Sequence, residues 1–320
     1  MRIRILFSLV LSVLLASSGF MSAAHAQEDE LRFIVISHGQ AADPFWSVVQ
    51  NGASTAADDL GVTVEYQAPT TYDVVAMGQL IDAAVASDPD GIIISIPDGP
   101  ALTPSIQGAL DAGIPVISIN SGYETSVELG LFTHVGQTEY EAGLGGGQRF
   151  ASEGATNAVC LIHEAGNAGL EERCRGFTDG MAENGGTVEQ LVVDLNNPTE
   201  AQQRIESALT ANPEIDSIMA LGPTGSNAAI ASVNALGVSD DVSIATFDLS
   251  PEVIEGIEAE TVSFAIDQQQ YLQGYLPVVF LTQYNRNGNT IAQDIVMTGP
   301  GYVDASNVEQ VKDLIDGGTR

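Results

Sequence analysis

Ile92-Ile93-Ile94-Ser95-Ile96, followed by Pro97-Asp98-Gly99-Pro100, is the stretch that decides the fold. A near-continuous apolar run stopped by a Pro/Gly turn is the pattern of a strand buried on both faces of a parallel sheet. Beyond the turn, residues 101–112 read as a helix, and Ile114-Pro115-Val116-Ile117-Ser118-Ile119 as a second buried strand running into Asn120-Ser121-Gly122. Upstream, Val74 to Ala86 read as a helix stopped by Asp88-Pro89-Asp90-Gly91, Val62 to Tyr66 as a strand, residues 45–60 as a helix ended by Gly61, and Phe33 to Ile36 as a strand. Strands alternating with helices across short Gly/Pro turns predict a doubly wound parallel α/β sheet.

A strand at Phe132 to Gly136 closes this round. A second round of strands begins at Ala158 to His163 and continues near Val188 to Val193, Ser217 to Leu221, Val242 to Phe247 and Phe264 to Ile266. The C-terminal remainder is too short for a third domain: a helix over Gln270 to Arg286, a strand at Ile295 to Met297 and a helix over Val308 to Ile315. These pieces are expected to complete two lobes, with the chain crossing between them more than once. The expected fold is α/β, two doubly wound parallel-sheet lobes joined by a multi-crossing hinge. Residues 27–137 plus 269–297 would form the first lobe and 138–268 plus 298–320 the second, with an inter-lobe cleft. From Glu139 a helix carries Gly143, Gly145, Gly146 and Gly147; Gln148 breaks the G-x-G-x-x-G spacing, so these glycines are expected to serve close helix packing.

Arg2 and Arg4, an apolar run from Ile5 to Leu15 and small residues ending Ala24-His25-Ala26 read as a cleavable secretory leader, residues 1–26, cut before Gln27. The mature chain would have 294 residues and, without those two arginines, 8 basic against 42 acidic residues, net −34. Such a charge excludes nucleic acid as a partner. Lys312 is the only lysine, which leaves no P-loop and no Schiff-base nucleophile in the body of the chain. An acidic surface nearly free of lysine reads as adaptation to a salty environment. Cys160 and Cys174, an even pair in an exported chain, are expected to form a disulfide. A metal site of Cys160, His163 and Cys174 lacks a fourth ligand at the usual spacing, so no metal and no cofactor are expected.

In a doubly wound fold ligands bind beyond the carboxyl ends of the strands. There lies Ser37-His38-Gly39-Gln40-Ala41-Ala42-Asp43-Pro44-Phe45-Trp46. Phe45 and Trp46 offer flat apolar faces and His38 and Asp43 hydrogen-bonding groups, the dual character of a sugar ring. Alternatively, the two aromatics anchor the following helix in its core, and His38 orders its own loop. Asp98 and Thr224 occupy strand-end loops too, facing the cleft or capping turns beside Pro97 and Pro223.

Five segments, in order, carry a family resemblance: Asp43-Pro44-Phe45-Trp46, Gly113-Ile114-Pro115-Val116-Ile117-Ser118-Ile119-Asn120, Arg173-Cys174-Arg175-Gly176-Phe177, Ala245-Thr246-Phe247-Asp248 and Asp267-Gln268. The mature chain resembles the type I periplasmic solute-binding proteins of sugar ABC transporters, the ribose-binding-like group that shares its fold with LacI-type repressors. The resemblance implies that Phe45 and Trp46 stack on the ligand and that Asp43 binds a hydroxyl. It further implies that Asp248 accepts from two neighbouring hydroxyls and that Gln268 sits at a lobe crossing. Asn120 stands where the family commonly has an acid, which keeps hydrogen bonding but changes the hydroxyl pattern read. Glu171 stands where ribose binders have an arginine and Arg173 lies two positions on, so that contact is open between the two.

The implied function is capture of a sugar or sugar-like polyol in the periplasm by a monomer that delivers it to an ABC transporter permease, without catalysis; a chemoreceptor is an open further partner. The alternative is a secreted glycoside-acting hydrolase using Asp43 and Asp248 as a carboxylate pair. The chain has neither a Gly-x-Ser-x-Gly elbow nor a His-Glu-x-x-His motif, and a repressor would need a basic helix-turn-helix where the leader stands.

Overall fold

Alternate residues of the apolar strands face opposite ways, and both faces are covered. Phe33 and Val35 enter one apolar layer while Ile34 and Ile36 enter another. The same split separates Val159 and Leu161 from Ala158, Cys160 and Ile162. That is why these strands carry no polar alternation. The structure, a computed structural model, describes residues 30–39 and 43–320. The leader read at residues 1–26 lies outside them.

The first round comprises β1 (Arg32–Ile36), α1 (Pro44–Leu60), β2 (Thr63–Gln67), α2 (Val74–Ala86), β3 (Gly91–Ser95), α3 (Gly99–Asp111), β4 (Val116–Asn120), α4 (Tyr123–Leu129) and β5 (His134–Gly136). The second comprises α5 (Glu139–Ser152), β6 (Asn157–Ile162), α6 (Ala168–Ala182), β7 (Thr187–Val192), α7 (Pro198–Ala211), β8 (Ser217–Ala220), α8 (Pro223–Leu236), β9 (Ser243–Phe247), α9 (Pro251–Glu258) and β10 (Val262–Asp267). Then come α10 (Gln270–Asn287), β11 (Ile295–Met297), β12 (Gly301–Asp304), a 3₁₀ turn at Val308–Gln310 and α11 (Lys312–Asp316).

The two sheets repeat one order, β2-β1-β3-β4-β5-β11 and β7-β6-β8-β9-β10-β12. All pairings are parallel except β12 against β10. Each sheet reverses direction of growth at its first strand, which puts the topological switch points after β1 and β3 and after β6 and β8. The chain passes from the first sheet to the second between β5 and α5, returns between β10 and α10, and crosses again between β11 and β12. At the crossings Gln269 Nε2 donates to Thr298 O at 2.7 Å and Thr298 N to Gly136 O at 2.7 Å.

Each crossing helix is clamped to the first helix of the lobe it enters. An added Cβ at Gly143 or Gly147 of α5 would lie 2.2 or 2.4 Å from the backbone oxygens of Arg173 or Phe177, and one at Gly176 of α6 2.0 Å from Tyr140 O. Only glycine permits this approach, so Gly143 and Gly147 serve helix packing as expected, whereas Gly145 faces the Tyr302 ring and Gly146 the Ile266 and Met219 side chains of the sheet. Gly52 and Gly274 do the same for α1 and α10.

Cys160 on β6 and Cys174 on α6 are bridged, Cα atoms 5.9 Å apart, which ties the strand to the helix that carries Arg173. Neither sulfur remains for a metal. Reduction of the protein should lower its stability by roughly 3 kcal/mol, the loop-entropy value for about 15 residues; two free thiols in the unreduced protein by mass spectrometry would refute the bridge.

Two elements were not foreseen. Helix α4 is only seven residues between Gly122 and Gly130, too short to show a helical period. Strand β12 is four residues beginning just after Gly299-Pro300. The helix expected over Val308 to Ile315 is two pieces broken at Val311. No helix of the described residues is long and apolar enough to cross a membrane.

Candidate functional site

Between the sheets lies a cavity of about 40 Å³ lined from both lobes. His38, Asp43, Phe45, Trp46, Asn120, Arg173, Asp248 and Gln268, expected from the sequence, all line it. Ser121, Glu139, His163, Glu164, Asn167 and Leu221 line it as well and were not foreseen.

One wall is the β1 loop. Asp43 caps α1, its carboxylate accepting from Phe45 N at 2.9 Å. Phe45 and Trp46 are 6% and 4% exposed and pack edge-to-face at 4.8 Å, so each both lines the cavity and belongs to the first lobe's core. A Cβ on Gly39 would lie 1.5 Å from Trp46 Nε1, so the glycine seats the indole. The His38 ring meets the edge of Trp46 at 4.9 Å.

His38 touches the other lobe. Its backbone N donates to Ser95 Oγ at 2.9 Å, and Nδ1 lies 2.8 Å from the same oxygen. Asn167 Oδ1 accepts from Gly169 N at 3.0 Å, which turns its amide nitrogen toward His38 Nε2 at 3.2 Å and Glu164 Oε2 at 2.7 Å. Nε2 is therefore the acceptor and Nδ1 carries the proton. Burial holds the ring neutral, its pKa down at about 3. Beside this contact Ala168 N donates to Pro97 O at 2.9 Å, so two hydrogen bonds join the lobes here.

The second wall is α6 against α5. Arg173 is 4% exposed, with Nε and Nη2 on the two carboxylate oxygens of Glu139 at 2.5 and 2.9 Å and Nη1 on Leu221 O at 3.0 Å. Its guanidinium lies 4.4 Å over the Phe247 ring. A guanidinium has five N–H groups, so two remain for the cavity. The glycine packing of α5 on α6 brings the two charges into register.

The floor is the strand ends. Asn120 and Asp248, corresponding positions of the two repeats, take φ of +61° and +64°, a strained backbone for residues other than glycine that is found at functional sites. Gln268, at the second crossing, joins them: Asn120 Nδ2 donates to its Oε1 at 3.3 Å, and its Nε2 to Asp248 Oδ2 at 3.1 Å. Asp248 Oδ1, on a residue 2% exposed, has no partner. It is an unpartnered oxygen on a residue that lines the cavity.

Three expected residues lie elsewhere. Asp98 caps α3, accepting from Ala101 N at 2.9 Å. Glu171 is exposed and outside the cavity lining, whereas Arg173, two residues on, is in it. Thr224 lines an adjoining cavity. Of the unforeseen residues, His163 and Glu164 follow β6 as Ser37 and His38 follow β1, and Asn167 caps α6 as Asp43 caps α1, so aligning the two repeats would have found them. Among the described residues no group of His, Cys, Asp or Glu is arranged to hold a metal.

Burial lifts the carboxyls of this cavity, Asp248 to about 8 against the pull of Arg173, Glu164 to about 7 and Asp43 to about 6. It lowers His38 and His134 to about 3 and His163 to about 4. Stability contributed by the protonated carboxyls is complete below their unfolded pKa near 4 and is lost as pH rises through 7 and 8. The histidines contribute stability above about 6.5 that is lost as pH falls. Above pH 6.5 only the carboxyls still act. The melting temperature of the ligand-free protein should therefore fall between pH 6.5 and 8.5, and Asp248→Asn should flatten most of that fall; an unchanged slope in the variant would contradict the assignment.

Known proteins are similar to this chain in sequence and in two-lobed architecture. A family model described as "Periplasmic binding protein domain" matches residues 33–289. The crystal structure of a carbohydrate transporter from Acidothermus cellulolyticus 11B in complex with myo-inositol is 37% identical, covers 91% of this chain and 100% of its own, and superposes with a TM-score of 0.86. A periplasmic sugar-binding protein of an ABC sugar transporter from Legionella pneumophila is 27% identical, covering 84% of this chain and 100% of its own, TM-score 0.79. The xylose/arabinose-binding protein XylF of Sulfolobus acidocaldarius is 26% identical over 309 residues, 91% of this chain and 75% of that protein. By the extent of the family match and the architecture of its two lobes, the chain belongs to the periplasmic binding protein family, type I.

Proposed function

We propose that this protein is an exported receptor that captures one ring of a neutral polyhydroxylated solute, a cyclitol or a sugar, between its lobes and delivers it as a monomer to the permease of an ABC transporter. The observation that carries the reading is Asp248 Oδ1, a buried acceptor without a partner, set in a cavity that also presents Phe45, Trp46 and the unused N–H groups of Arg173. A ring hydroxyl supplies the missing donor, and its hydrogen bond favours the ionised carboxylate, whose charge in turn strengthens the bond. Cyclitols lead because the 37% identical neighbour holds myo-inositol, and pentoses follow from the relative named for xylose and arabinose.

The lobe limits expected from the sequence, the leader and a periplasmic location belong to the same proposal. So do the ligand roles of His38, Asp43, Phe45, Trp46, Asn120, Arg173, Asp248 and Gln268. A hydrolase built on Asp43 and Asp248 finds no support in these relatives, which are named as binding or transport proteins. Calorimetry and melting shifts with myo-inositol, D-xylose, L-arabinose and D-ribose test the proposal. A binder raises its own melting temperature with ligand and returns the ligand intact. Turnover of a glycoside, or no shift with any ring, would overturn it.

A further inference from the structure

A second cavity of about 200 Å³ adjoins the first and shares Asp43, His163 and Glu164 with it. Its remaining lining includes Tyr72, just before α2, Leu195, just before α7, and Thr224 in the first turn of α8. The turns before α2 and α7 are counterparts in the two repeats, so this outer chamber, like the inner cavity, is built by both lobes.

The outer chamber has an open polar valence of its own. Tyr72 Oη is shielded from solvent and has no hydrogen-bond partner, a costly state for a hydroxyl. The Tyr72 ring stands perpendicular to that of His38 at 6.1 Å, and His38 in turn meets Trp46, so aromatic contacts run from one chamber to the other. Burial raises the Tyr72 pKa, and the carboxylates of Glu164, Asp98 and Glu171 raise it further. The charges of Asp98 and Glu171, which miss the inner cavity, thus reach Tyr72, and Thr224 lines the outer chamber. An aromatic face, a hydroxyl and carboxyl acceptors repeat the repertoire of the inner cavity. The excess of carboxylates, with no lysine or arginine in the lining, disfavours a phosphate or a uronate.

We infer that the outer chamber is a second subsite that takes a neutral glycosyl group attached to the ring held in the inner cavity, so that the receptor prefers a two-ring solute, a glycosylated cyclitol or a disaccharide. The inference rests on the function proposed above for the inner cavity, where the single ring binds, and it assigns the connecting oxygen to the shared wall of Asp43 and Glu164.

The test is calorimetry on the wild type and Tyr72→Phe, which removes only the unpartnered hydroxyl, with two pairs of probes: myo-inositol and galactosyl-myo-inositol, D-xylose and xylobiose. In the pair whose single ring binds, the two-ring solute should bind about tenfold tighter or more. Tyr72→Phe should remove most of that gain and leave single-ring affinity within about twofold. A two-ring solute that binds no tighter than its single ring overturns the inference and leaves the receptor function standing. Equal loss for both ring sizes in Tyr72→Phe also overturns it, since the hydroxyl would then serve the fold. Binding of none of the four probes removes the function proposal and the inference together.

Discussion

Asp248→Ala should weaken ligand binding by a hundredfold or more while the protein stays folded. Asp248 supports no apolar layer, and its one side-chain partner among the described residues is Gln268. Ligand hydroxyls favour the ionised form of this carboxyl, hydrogen bonds to a charged acceptor are worth roughly 1.5–3 kcal/mol each, and two lost together give that factor. The free variant should lose little stability, because the wild type keeps a desolvated carboxyl there with its pKa lifted to about 8. Calorimetry decides the point: near-native affinity in a folded Asp248→Ala protein would remove this residue from the site.

The largest expected effect on stability belongs to the neighbouring wall. Arg173→Met leaves the Glu139 carboxylate buried without its counter-charge, and breaking such a pair costs about 3–5 kcal/mol. Replacing both members by apolar residues of similar volume is often neutral, so Arg173→Met combined with Glu139→Leu should recover most of the loss. The double variant should nonetheless fail to bind, because the free guanidinium N–H groups are gone from the cavity. Chemical denaturation of the single and double variants measures the coupling; a double variant as unstable as the sum of its parts would show that the pair contributes nothing as a pair.

The fold was legible because burial on both faces writes itself as apolar runs. Ile92–Ile96 and Ile114–Ile119 leave no reading other than interior parallel strands, and the glycines of α5 announced a close helix contact. Short elements such as α4 and β12 carry too few residues to show a period. At the cavity, the loop after the first strand was visible as a position, which is how His38 and Asp43 came to attention, whereas Asn120 and Asp248 were carried by the family resemblance. Glu139 was not visible, because its place depends on how α5 leaves one lobe and packs on α6 of the other, a tertiary fact without a local signature. Asp98 and Glu171 show the converse, since a strand-end or helix-start position does not by itself say which chamber a side chain reaches.

Trp46 is the only tryptophan in the chain, and it lines the inner cavity between His38 and Phe45, so its emission reports on the proposed site without dilution. A titration of tryptophan fluorescence with myo-inositol and the three pentoses, read beside calorimetry on the same samples, tests the central claim most directly. The account predicts a saturable shift or quench whose midpoint matches the calorimetric affinity, much weaker binding in Trp46→Ala and partial retention in Trp46→Phe. Emission unchanged at saturating ligand, together with a Trp46→Ala protein destabilised by the roughly 3–5 kcal/mol of a lost core aromatic yet binding with near-native affinity, would contradict it.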